Sequence, residues 1–212
     1  ITTFPRITGM TCGEAREPHV TLFGPFRTRV RGDALVTRIQ DAAKGLGRLS
    51  CTIGEMVPLK GMRGGAIVLS LSPGPDLAGF YRQLVSVISP LASRCTWIDR
   101  DPGHRIFHIS LRFNVPFREF DLFWKRAVAL PLSPGYDAGG KKGTVAPIRT
   151  YLQSCDSPVD IFRIALVRRG AIWKEFDLPR SVWLSRKESG ELQEWRNTLR
   201  HYREEEGMEL QE

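Results

Sequence analysis

The sequence predicts a mixed α+β fold, and three observations carry that prediction. Segments with a helical apolar period alternate with short runs rich in β-branched and aromatic residues. Some of those runs are joined by tight hairpin signals and others by whole helices, which mixes hairpins with crossovers. The order of elements also repeats: a strand bearing a histidine, a helix, two strands and a helix precede a second histidine-bearing strand, a helix and late strands. That is a degenerate duplication, with too long a period for a solenoid.

Each element has a local reason. His19 to Phe23 is a short β-rich run stopped by Gly24-Pro25. Asp33 introduces a helix with Leu35, Ile39, Ala42 and Leu46 on one face, ending near Gly47. Cys51 to Leu59 and Ala66 to Ser72 read as strands around a Gly-rich turn at Gly61 to Gly65. Pro73-Gly74-Pro75 breaks the chain, and Asp76 is placed to cap a second helix bearing Leu77, Phe80, Leu84, Val87 and Ile88. Ile106 to Phe113 is a strand, followed after Pro116 by a helix around Phe120 to Val128. A Pro/Gly-rich loop from Pro131 to Gly143 leads to late strands near Ile161 to Val167 and Ala171 to Phe176, with Arg168-Arg169-Gly170 as their turn. Glu188 to Glu205 has the period of an amphipathic helix with Trp195, Leu199 and Tyr202 on one stripe.

Composition narrows the class of protein. The 212 residues, 42% apolar, suffice for one domain or two small lobes sharing a core. A charged fraction of 25% excludes wholesale disorder. The densest apolar run, Ala66 to Leu71, fits a buried strand and falls far short of the roughly 18 residues of a membrane span. The chain begins at Ile1, and Ile1 to Thr11 shows no charged-then-apolar signal pattern, so the expectation is a soluble, cytoplasmic protein without a membrane partner. Cys12, Cys51, Cys95 and Cys155 are too dispersed for a disulfide framework or a zinc site and read as reduced, mostly buried thiols.

The charge is uneven. The whole chain carries +8, but the tail from Ser185 to Glu212 carries −3, which leaves +11 on the preceding residues. A body that basic suits a polyanionic partner, and its excess of Arg over Lys favours forked contacts to phosphate.

The sharpest signal is a pair of tripeptides, His19-Val20-Thr21 and His108-Ile109-Ser110, each followed by Leu and 89 positions apart. In a strand, residues two apart share a face, so His19 joins Thr21, while His108 joins Ser110 and Arg112. If the duplication sets the two strands together, two imidazoles and two hydroxyls converge. Phosphodiester chemistry can use that set: one imidazole removes a proton from the attacking oxygen while the other, protonated, gives one to the departing oxygen. The hydroxyls donate to non-bridging phosphate oxygens, and Arg112 adds fixed positive charge. A lone H-x-[ST] is a chance event; the doubling in a chain with only four histidines is what carries weight.

Pro18 to Phe26 and Phe107 to Phe113 resemble the paired signatures of the two-histidine phosphoesterases, a superfamily that includes the RNA 2′,3′-cyclic phosphodiesterases, also called 2′-5′ RNA ligases. Phe162 to Leu178 resembles the family's closing hairpin, and Trp183 to Leu199 is similar to the tail of archaeal-type members. The resemblance implies a bilobal α+β fold of two pseudo-symmetric, antiparallel-rich sheets with outer helices and a central groove, one H-x-[ST] per lobe. It implies His19 and His108 as catalytic residues, Thr21 and Ser110 as phosphate ligands, and no cofactor or metal; Arg112 as a further phosphate ligand rests on the strand face, since members of the family often carry their Arg one position later, where this chain has Phe113. The implied reaction is hydrolysis of an RNA or nucleoside 2′,3′-cyclic phosphate to a 2′-phosphate. Within the enzyme class the alternatives are 2′-5′ RNA ligation and cleavage of 2′-5′ or cyclic oligonucleotides; outside it, a non-catalytic RNA-binding module.

Residues 1–184 are therefore expected to form a single bilobal phosphoesterase domain and 185–212 a helical tail, acting on RNA ends or cyclic nucleotides as a monomer. Gly135 to Lys142 nearly spells a phosphate-binding loop, but Lys142 stands where a hydroxyl residue is required, so it reads as a basic loop with Lys141 and Lys142 touching RNA. Phe26, just after the Gly-Pro turn, is a candidate to stack on a base, and Trp173 is another; Phe23 reads as core. His104 and His201 lack a partnered hydroxyl and read as surface residues.

Overall fold

The computed structural model describes residues 19–61, 64–129 and 158–207. The fold is α+β, built of helices and antiparallel sheets. Its chain contacts separate into two compact units, one drawn from 1–22, 52–72 and 106–158, the other from 23–51, 73–105 and 159–212. Lys141 and Lys142, Ile1 to Pro18, Cys12 and Cys155 lie outside the described residues.

In the second unit, β1 (Arg27–Thr28) precedes α1 (Gly32–Ala43), whose Leu35, Val36, Ile39, Ala42 and Ala43 form a single buried stripe. β2 (Leu49–Gly61) begins in this unit and continues in the first. α2 (Pro75–Ile88) buries Leu77, Phe80, Tyr81, Leu84, Val85 and Ile88 and packs on α1. Its start differs from the expected cap. Gly74 occupies the N-cap position, Pro75 supplies a preset φ for the first turn, and Asp76 turns to Ser50, accepting its N–H (2.7 Å) and Oγ–H (2.8 Å). The carboxylate thus ties the helix to the head of β2 rather than closing its own first turn.

β4 (Ala92–Ser93) pairs with β1. β6 (Pro158–Ile161) lies beside β2, where the buried Cys51 thiol donates to the Val159 carbonyl (3.7 Å) and Arg48 pairs with Asp160 (2.8 Å). β7 (Arg163–Arg168), β8 (Ala171–Asp177) and β9 (Val182–Ser185) form a three-stranded antiparallel sheet. The expected turn at Arg169-Gly170 is present, with φ of 53° and 80°; two successive positive values give the twist that a two-residue hairpin needs.

α4 (Arg186–Ser189) opens with a capping box between Ser185 and Glu188, whose hydrogen bonds from Ser185 pull the Glu188 carboxyl below its ordinary range. α5 (Leu192–Glu205) covers the expected tail helix, but its inner stripe is Thr198 and Tyr202, while Trp195 is 37% exposed. The reason is what the helix meets. Buried Arg163 bonds Thr198 Oγ1 (2.8 Å), the Ser189 carbonyl (3.3 Å) and Glu175 (3.2 Å), and Trp195 lids its guanidinium with the ring centroid 3.8 Å from Cζ. A buried cation requires such partners, so the inner position goes to a hydroxyl rather than an aliphatic side chain.

The first unit holds most of β2, β3 (Gly64–Pro73), β5 (His108–Val115) and α3 (Phe117–Ala129), with β5, β3 and β2 side by side in that order. α3 covers one face of this sheet. Its Phe120, 1% exposed, lies where a side chain on Gly65 would have to go. Gly64 has φ of +142° and brings β3 close to the Val115 carbonyl, a conformation L side chains rarely adopt.

Candidate active site

The segment carrying the first motif is held to the second by one backbone bridge, antiparallel between Val20 and Ile109. That register decides the site. Residues directly opposite in an antiparallel pair share a face, so Val20 and Ile109 point one way, and their neighbours His19, Thr21, His108 and Ser110 point the other. The same antiparallel register would set His19 across from Ser110 and Thr21 across from His108, with the two histidines on the diagonal. Burial agrees. Ile109 is 7% exposed, whereas His19 and Ser110 are exposed and Thr21 and His108 half-buried.

Both motif segments lie in the first unit. The reason is the pairing itself, which puts the two segments in one body.

β3 continues the same face. Ser70 stands opposite His108 and Val68 opposite Ser110. The Ser70 hydroxyl donates to the Glu55 carbonyl (2.9 Å), and Gly54 leaves it room: a Cβ there would sit 2.6 Å from Ser70 Oγ. The sequence reading missed Ser70, and only its alternation with the strand core could have suggested it.

His108 has a defined proton arrangement. Its Nδ1 is 2.9 Å from the Ile106 carbonyl oxygen, which can only accept, so Nδ1 carries a hydrogen. Nε2 is then the nitrogen that exchanges a proton, as a base in neutral imidazole or as an acid in imidazolium.

Arg112 is not brought to this face. Ser110 pairs with Val68, yet Arg112 pairs with Ile67, so two residues of β5 oppose one of β3 and Leu111 is the extra residue of a bulge. Beyond the bulge the alternation is reset. Arg112 falls with Ile67 on the side covered by α3, its Cζ 5.4 Å from the Phe123 ring centroid. The expected His108–Ser110–Arg112 row is thereby cut after its second member.

In the second unit, Phe26 packs edge-on against Phe23, centroids 5.3 Å apart, both half-buried. His104 and His201 are paired with Asp101 (2.7 Å) and Glu205 (3.4 Å).

A second residue set escaped the sequence reading. Asp99, fully buried, accepts the Gly24 N–H (2.7 Å), the Thr96 hydroxyl and the Arg105 guanidinium (3.0 Å). Gly24 lies three residues after Thr21 and Arg105 three before His108. Within the second unit, one carboxylate therefore holds a backbone N–H three residues after the first motif and a guanidinium three residues before the second. A Cβ on Gly24 would lie 2.7 Å from Asp99 Oδ2, so the close approach requires glycine.

A family model described as the 2′-5′ RNA ligase superfamily matches residues 13–138, more than half of the chain and both H-x-[ST] motifs. No curated protein and no solved structure matches it. The twin motifs and the face on which they meet therefore have a family to sit in: the chain belongs to the 2′-5′ RNA ligase superfamily.

Proposed function

We propose that the protein is a phosphodiesterase that opens RNA or nucleoside 2′,3′-cyclic phosphates to 2′-phosphates, with His19 and His108 as the acid–base pair. The observation that supports this reading is the Val20–Ile109 bridge, which gives two imidazoles and two hydroxyls a common face. One imidazole takes a proton from water as the water oxygen bonds to phosphorus. The P–O3′ bond breaks, and the other imidazole, entering as imidazolium, delivers its proton to O3′. At His108 the exchanging atom is Nε2, because the Ile106 carbonyl holds the proton on Nδ1. Thr21 and Ser110 donate to the non-bridging oxygens as charge gathers there. Arg112 is left out of this set, since the bulge turns it to the α3 side.

The test is hydrolysis of a nucleoside 2′,3′-cyclic phosphate in the presence of chelator. His19→Ala and His108→Ala should each lower kcat by about 10²–10⁴, and the native protein should give a bell-shaped pH profile. Full turnover in either variant defeats the reading. The position of the product phosphate separates this reaction from one that leaves a 3′-phosphate, and mixing RNA ends tests for ligation.

A further inference from the structure

A second surface, in the second unit, has the chemistry of a strand-binding site. Trp173 is its centre. Leu166 pairs with Lys174 and Val167 with Ile172, so Trp173 is the extra residue of a β-bulge, a device that re-aims a side chain. The bulge lays the indole against the first residue of α1: a Cβ on Gly32 would be 2.6 Å from the ring's Cη2. Arg168 and Lys174 flank the same ring, each with its cationic group 5.8 Å from the centroid. Arg31 is the residue before Gly32, and Arg27 and Arg29 precede it at alternate positions, all three exposed.

Among the described residues, none of Arg27, Arg29, Arg31, Arg168 and Lys174 makes an ion pair, whereas Arg163, Arg180 and His201 in the same unit each face an acid. Asp33, in the first turn of α1, is the neighbouring acid along the chain, and the Glu175 carboxylate is turned inward to Arg163. Three of the residues, Arg168, Trp173 and Lys174, lie beyond the family match. Arginine's fork suits phosphate, and an indole held in place offers a stacking platform that an acidic protein surface would not need.

We propose that Arg27, Arg29, Arg31, Arg168 and Lys174 hold the phosphates of single-stranded RNA while a base stacks on Trp173. This rests on RNA being the substrate, and it assigns a site for the strand beyond the reacting phosphate.

The experiment uses the full chain and a labelled short oligoribonucleotide with an ordinary 3′-hydroxyl, read by fluorescence anisotropy. Arg29→Glu/Arg31→Glu and Arg168→Glu/Lys174→Glu should each weaken binding tenfold or more. Each should also flatten the salt dependence by about 0.7 in log–log slope for every phosphate that is no longer neutralised. Trp173→Phe, which keeps a ring over Gly32, should weaken binding severalfold and retain the thermal melting of the parent. Unchanged RNA affinity in both double variants overturns the proposal, as does equal competition by polyglutamate or by phosphatidylserine vesicles at matched charge. Hydrolysis of a mononucleoside cyclic phosphate is measured alongside. Its absence in the parent, with RNA binding intact and sensitive to these variants, would defeat the proposed reaction and leave the surface standing.

Discussion

The two motifs carry the same residue types but are held in place differently. His108 and Ser110 sit in an eight-residue strand whose ladder to β3 runs from Ser70 to Gly65. His19 and Thr21 belong to no strand; their segment has the one bridge at Val20 and an anchor at Gly24. The second motif takes its position from cooperative sheet pairing, in which several hydrogen bonds must fail together. Among the described residues, the first shows the bridge at Val20 and the Gly24–Asp99 hydrogen bond in place of a ladder. Equivalent chemistry at the two histidines therefore does not mean equivalent tolerance to change nearby.

Asp99→Asn probes that contrast hardest. It removes the charge that Arg105 faces while keeping the volume. Uncompensating a buried pair costs about 3–5 kcal/mol, read by denaturant or thermal melting. In the fraction that stays folded, kcat should fall about tenfold with KM within about twofold, because the clamp positions the histidine segments rather than touching substrate. A loss seen wholly in KM, or none at all, breaks the comparison.

Gly65→Ala loads the better-supported side. The new methyl collides with Phe120, and overpacking of this kind costs about 1–3 kcal/mol. Phe120→Leu should recover part of that stability when combined with it. With the ladder intact, kcat at 25 °C should change by less than about twofold, and a drop as large as that from Asp99→Asn would show that β5 is no stiffer than the first segment.

Cys51 supplies the mildest probe, far from either histidine along the chain. Burial is the main cause that pushes its thiol up to about 11, with Asp160 and Asp76 adding to the shift. The folded state thus keeps its proton above pH 9, where the unfolded thiol ionises. Stability from this residue is whole below about pH 9 and declines as pH rises toward 11. Cys51→Ala should flatten that decline in melts taken across the window. Peptide mapping after iodoacetamide treatment of the native protein at pH 8 should find Cys51 unmodified.

Much of the fold was legible locally because local rules apply there. The buried stripe of α1 follows its period, and Arg169-Gly170 turns because one residue tolerates positive φ and the other favours it. The second histidine tripeptide was legible for the same reason, since alternation along a strand is a local property, whereas the expected strand at His19 to Phe23 is reduced to the single bridge at Val20. Asp76 and Trp195 were misread because each answers to a partner distant in sequence, Ser50 in one case and buried Arg163 in the other. Arg112 was misread because alternation holds only while pairing is regular, and the residue inserted at Leu111 inverts the face on which Arg112 falls.

By itself, then, the chain determined the two H-x-[ST] tripeptides and the short segments that carry them, because composition and periodicity are written residue by residue. Only tertiary structure decided that Val20 meets Ile109, that Leu111 bulges, and that Asp99 anchors both motif segments. The first two depend on hydrogen bonds between backbones far apart along the sequence, the third on a buried side-chain carboxylate that meets Gly24 and Arg105. Their partners are chosen by the packing of the whole sheet rather than by the residues that bond.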